Sequence, residues 1–288
     1  SAVQVATNRV SRMLRSGDPR WGFPTAEEIA AFTMEDAEAL LGPALDRAPI
    51  EITLVGDITV ERAVEITAST FGALPARDET WPSYEGNAQI AFPAPTAEPE
   101  IVRFNGEPNQ GMANIYYPAG DGFDPQRRAA IDLLEGVFRL KALDRFRERD
   151  GATYSPIISA QLSRVFPDYG FIWVGLDVDV NDVPAMYGVT DELAATLAAG
   201  EISEDELQRA RQPILEQIEE SRERNPFWVN ALSRSQTDPQ RLEDIRTSQA
   251  RYEAVTVEDL AALAAEVLQP ENAYRVSILP EGVEPQSD

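Results

Sequence analysis

The helix start Thr33-Met34-Glu35-Asp36, its Leu45 and the apolar run Ile50–Gly56 (IEITLVG) recur near the other end of the chain. There they read Thr256-Val257-Glu258-Asp259, Leu268 and Tyr274–Pro280, with a single-residue insertion between helix and strand. Each copy puts a hydroxyl at a helix start and an aspartate three residues on, a near relative of the capping box that satisfies the first free N–H groups of a helix. Each then leads into a run of strand-forming residues. Helix–loop–strand units are common, and coincidence is the competing account of the match. Taken as a repeat, it makes the chain an α+β protein with one complete copy of a unit over about 100–282. Only the last part of another precedes it, so the chain opens partway through a domain.

The rest of the chain fits that frame. Val5, Val10, Met13 and Leu14 lie along one side of a helix over Val3–Arg15, followed by a turn-rich loop from Gly17 to Pro24. Thr25-Ala26-Glu27-Glu28 gives another helix start. Asp57 and Thr59 can cap a helix to about Leu74, with Ala63, Val64, Thr67 and Phe71 on its buried face. Prolines 75, 82, 93, 95 and 99 interrupt all periodicity, which separates a partial domain (1–78) from a complete one (100–288) by a linker over 79–99. Beyond it, strands are expected at Ile101–Phe104, Gly111–Tyr117, Phe171–Val180 and Tyr274–Leu279. Helices are expected from Asp124 to about Arg149, over Met186–Ala198, from Ser203 with a bend at Pro213, and over Leu260–Leu268.

With no histidine and no cysteine, the chain cannot supply an imidazole base, a thiolate, a disulfide or the usual zinc ligands. Its 25 basic and 49 acidic residues give a net charge of -24, which argues against binding phosphate backbones. No run reaches the roughly 18 apolar residues of a membrane span. Asp177, Asp179, Asn181 and Asp182 do not form a calcium loop, because the sixth position is Asp182 rather than Gly and the twelfth is Gly188 rather than Glu. Glu204, Asp205, Glu206, Glu216, Glu219 and Glu220 are interspersed with arginines, as on a solvated helix face. Trp228 reads as a packing anchor.

The stretch Ile52–Arg77, ITLVGDITVERAVEITASTFGALPAR, resembles the strand–VGD–helix–FG-lP-R segment of the M16 metallopeptidases, the insulinase/pitrilysin group. The Gly17–Thr25 loop and the Thr33 helix fit the segment before it. Asn109-Gln110 with Tyr116-Tyr117-Pro118 resembles the opening strands of that family's next domain, and Arg145–Pro156 (RFRERDGATYSP) resembles its R-x-x-x-x-x-x-Y segment. The resemblance implies repeated α+β domains, each an antiparallel-rich sheet packed by helices, around a chamber. It also implies zinc held by an H-x-x-E-H helix and a downstream Glu in an N-terminal half, a motif this histidine-free chain does not contain. The expected function is therefore that of a zinc-free C-terminal portion, which closes the chamber on unfolded peptide and works with the zinc-bearing half, whether on the same polypeptide or a partner subunit.

The same resemblance carries an active-site role over to Arg147 and Tyr154. A guanidinium and a phenol aimed at a peptide carbonyl stabilise the charge that develops there, and neither needs to titrate near neutrality. On the residues alone, a helix-end arginine paired with a neighbouring acid and a half-buried tyrosine is the favoured account of the pair. A structural subunit without catalysis is the alternative function, and a module selecting basic peptides a third. Relatives of this texture in acidic bacterial proteomes are often exported, so the periplasm is the expected compartment, with the cytoplasm as the alternative.

Overall fold

The computed structural model describes residues 2–81, 85–150 and 156–285, with side chains from 6 onward apart from 82–84 and 147–155. In chain order the elements are α1 (Ala2–Met13), α2 (Ala26–Ala31), α3 (Met34–Arg47), α4 (Val60–Ser69), β1 (Glu100–Phe104), β2 (Gln110–Pro118) and α5 (Pro125–Asp150). There follow β3 (Ile157–Leu162), β4 (Gly170–Asp179), α6 (Val183–Ala198), α7 (Glu204–Arg222), α8 (Asn225–Leu232), α9 (Gln240–Ala254), α10 (Val257–Val267) and β5 (Tyr274–Pro280). They form two compact units, one of residues 1–23, 86–214 and 250–288, the other of 24–85 and 215–249.

The first unit is an α+β domain built on a five-stranded sheet in the order β1-β5-β2-β4-β3. β1 and β5 run parallel; every other pair is antiparallel. Alternation along β4 sends Ile172, Val174, Leu176 and Val178 to one face, where they meet Ala113, Ile115 and Tyr117 of β2. Helices α5, α6 and α10 cover that face with Leu133, Leu134, Phe138, Leu197, Leu260 and Ala264, all buried. The opposite face carries Tyr116, Phe171, Tyr274, Val276 and Ile278 under the Ala6–Val10–Leu14 side of α1. Because both faces are covered, β2, β4 and β5 are almost continuously buried. Two close approaches require glycine. A Cβ on Gly136 of α5 would meet Ala210 Cβ of α7 at 2.9 Å, and one on Gly170 would meet the carbonyl oxygens of Gly120 at 2.2 Å and Gln161 at 2.9 Å.

The second unit holds the Thr33 helix start and the Ile50–Gly56 segment. Its helix starts as expected: Thr33 and Asp36 form a reciprocal capping box that matches Thr256 and Asp259 bond for bond. Arg77 closes the other end of α3, donating to the carbonyls of Ala48 at 2.6 Å and Ala44 at 3.2 Å. This satisfies acceptors left free where a helix stops. Two expectations fail here. Ile50–Gly56 is not a strand, and the unit has none among the described residues. Helix α4 stops at Ser69, and the face expected to be buried is open, with Val64 at 61% and Phe71 at 54% exposure. The physical reason is the same for both. A strand needs a neighbour for its N–H and C=O groups, and an apolar stripe needs a second layer to cover it.

Elsewhere the differences are small. Helix α7 continues through Pro213. β3 is a strand that the sequence pattern does not announce, since Ser159, Ala160 and Gln161 blur its alternation. Trp228 is an anchor: its indole N–H donates to the Arg222 carbonyl at 2.7 Å near the end of α7.

Candidate functional site

Arg147 falls in the last turn of α5, but its side chain lies outside the described residues, as does Tyr154 altogether. The elements on either side are well anchored. Phe146, just before Arg147, is buried in the core. Arg145 pairs with Glu192 of α6 at 3.0 Å. After the segment, Pro156 is buried and β3 pairs along its whole length with β4. The segment carrying Tyr154 therefore connects the end of a core-packed helix to the edge strand of the sheet.

The sheet face beneath α1 is rich in aromatic rings. Tyr116 and Trp173 stack with centroids 6.2 Å apart, and Phe171 meets Tyr116 edge-on at 5.5 Å. Asn114, buried among them, accepts a hydrogen bond from the Trp173 indole at 3.0 Å and donates to the Val276 carbonyl at 3.4 Å. A cavity of about 160 Å³ lies between Thr7 and Ser11 of α1, Arg15 just after it, and Met112, Gln161 and Trp173 of the sheet. Arg15 is held by cation–π contacts to Trp21 at 4.8 Å and Tyr169 at 5.5 Å. Burial pushes the Tyr116 and Tyr274 hydroxyls far above the ordinary phenol range, so both stay neutral hydrogen-bonding groups.

On the helix side, Arg275 of β5 reaches Asp191 of α6 at 2.9 and 3.0 Å and also donates to the carbonyls of Pro270 and Thr96. Tyr187 and Ser277 share a buried hydrogen bond of 2.9 Å, and burial holds the Tyr187 hydroxyl up at about 12. A second cavity, about 530 Å³, opens among Pro99, Ile101, Pro184, Asp191 and Arg275. Asp191 and Arg275 are paired with each other there, and the exposed Glu98 also lines the opening.

A zinc ion does not fit this donor set. The chain has no histidine or cysteine, and among the described residues no three acidic side chains converge closely enough to hold a metal. No helix among them is long and apolar enough to cross a membrane.

No curated protein matches the chain in sequence. Among solved structures it is similar to a peptidase M16 inactive domain from Pseudomonas fluorescens, with a TM-score of 0.78 and 19% identity over 100% of this chain and 68% of that one. It is also similar to the periplasmic protease PqqL from Escherichia coli, with a TM-score of 0.75 and 18% identity over 97% of this chain. A protease from Helicobacter pylori gives 0.71 and 18%, over 96% of this chain and 70% of that one. The chain spans only 30% of the length of PqqL. These likenesses establish the α+β fold. The family described as Peptidase M16 inactive domain matches residues 47–214, from the end of α3 through β1, β2, β3 and β4 to Ile214 in α7. That match covers more than half of the chain, which therefore belongs to the M16 peptidase family as one of its inactive domains.

Proposed function

We propose that this chain is the zinc-free portion of an M16-type metalloendopeptidase, closing a substrate chamber over unfolded peptide. One observation supports the reading above the rest: the chain belongs to a peptidase family and has no histidine with which to hold the metal. On this reading zinc sits in a separate zinc-bearing half, and this portion supplies Arg147 and Tyr154 to the scissile carbonyl. The partial domain at 1–78, with its Ile50–Gly56 segment in no strand and its α4 face open, is the end of one repeat, and 100–288 is the next. Exported relatives such as the periplasmic PqqL make the periplasm the proposed compartment.

The test reconstitutes this chain with the zinc-bearing half and follows cleavage of an unfolded peptide. The chain alone should show no hydrolysis. Tyr154→Phe should lower kcat about 100-fold or more, the usual cost of removing one donor to a developing oxyanion. An unchanged rate in Tyr154→Phe would remove the pair from the mechanism. A stable complex without turnover would favour the second reading, a structural subunit.

A further inference from the structure

In a chain with 49 acidic residues against 25 basic ones, Arg15 has no carboxylate partner among the described residues. Its Nη1 donates to the carbonyl and the hydroxyl of Ser11, both at 2.9 Å, and its buried Nε has no hydrogen-bond partner. The Nε–Nη2 edge of the guanidinium is therefore free. The rings of Trp21 and Tyr169 hold the group in place, and the Tyr169 hydroxyl is itself tied to the Leu14 carbonyl at 3.1 Å. Asp18, the nearest acid in sequence, is engaged by Arg20 at 2.6 Å. Burial pulls the Arg15 pKa below the ordinary guanidinium value, so the charge is held at a cost that a bound anion would offset.

This cation lines the cavity of about 160 Å³ beneath α1, and no acidic side chain lines it with Arg15. Met112, Tyr116, Phe171, Trp173 and Ile278 make most of its wall apolar. Thr7 and Gln161, both exposed, are at its mouth. The whole site lies within the first compact unit. Its size suits one ring, since a protein cavity of about 150 Å³ accommodates benzene. A planar carboxylate matches the free edge of a guanidinium, and the apolar space beside it takes the rest of the ligand. We propose that this cavity binds a small free monocarboxylate bearing one aromatic ring or a branched alkyl group of similar size. The carboxylate sits on Arg15 and the apolar group against Phe171 and Trp173. The inference does not depend on the role proposed for Arg147 and Tyr154.

The test titrates the full chain with phenylacetate, benzyl alcohol, acetate and the tripeptide Gly-Gly-Phe. Calorimetry gives the affinities, and NMR follows the Trp173 indole N–H, whose bond to Asn114 lies in the cavity wall. Phenylacetate should bind with a Kd of about 1 mM or tighter and shift that resonance. Benzyl alcohol lacks the charge and acetate lacks the ring, so each should bind at least about tenfold more weakly. Gly-Gly-Phe, too long for the cavity, should also bind more weakly. Arg15→Met should weaken phenylacetate at least about tenfold and leave benzyl alcohol unchanged. Phenylacetate binding no tighter than that of benzyl alcohol or acetate overturns the proposal, as does an unmoved Trp173 resonance. So does tighter binding of Gly-Gly-Phe, which would give the site to the end of a peptide. If Arg15→Met fails to fold, the ligand series on the parent chain decides the matter alone.

Discussion

Asp132 of α5 accepts a hydrogen bond of 2.6 Å from the Tyr252 hydroxyl. Burial nevertheless pushes its carboxyl above the ordinary range, outweighing that hydrogen bond and the nearby Arg128. Glu135, one turn on, is raised by burial as well, against the Ala160 N–H and Arg139 that pull it down. A carboxyl with a folded pKa above its unfolded value of about 4 binds its proton more tightly when the chain is folded. Its contribution to stability is therefore greatest below the unfolded pKa and declines as pH rises through the folded one. Above that it stays flat. Asp132→Asn should remove its share of this decline, seen in urea midpoints measured from about pH 4 to pH 7. An unaltered slope would mean that the site is not desolvated. Neither Asp132 nor Glu135 stands out in the sequence, because Tyr252 and Ala160 come near them only through the tertiary fold. The Thr33 and Thr256 caps do stand out, because all their bonds form within four residues.

At the scale of elements, the helices were readable almost throughout, and so were the strands that carry alternating aliphatic residues. What failed was the expectation that the pattern IEITLVG implies a strand. Its counterpart β5 has the same texture and is buried along its length, because β1 and β2 flank it. Ile50–Gly56 has no such neighbours among the described residues of its unit. The pattern records what a segment can do; the partner decides whether it does so. β3 illustrates the converse, a weak pattern made into a strand by pairing with β4. The start of β4 shows how tightly such pairing can be built. Gly170→Ala would drive a methyl group into the Gly120 and Gln161 carbonyl oxygens, which belong to the backbone and cannot swing aside. It should cost about 3 kcal/mol, at the upper end for overpacking, in chemical denaturation. A loss below about 1 kcal/mol would show that the strand shifts freely there.

For the whole molecule, the net charge of -24 acts against compactness, since like charges repel more in the folded chain than in an expanded one. Thermal midpoints should rise as sodium chloride is increased from about 10 mM to about 500 mM, the range over which screening contracts from tens of ångströms to a few. A midpoint that falls or stays level would mean that the surface ion pairs outweigh the repulsion. The family was legible in the sequence because its motifs are distributed along the chain. The strand β3 was not, because it is defined only by its pairing with β4.

The depth at which the tyrosines are set has a further consequence. Burial lifts the hydroxyls of Tyr116, Tyr117, Tyr187, Tyr252 and Tyr274 well beyond the usual phenol range. With no histidine or cysteine to fill the interval below, this protein has few side chains that exchange a proton between its carboxylates and strong alkali. Apart from the raised carboxyls of Asp132 and Glu135, it is close to proton-silent across the neutral range. A pH dependence near neutrality should therefore shrink when Asp132 and Glu135 are replaced by their amides.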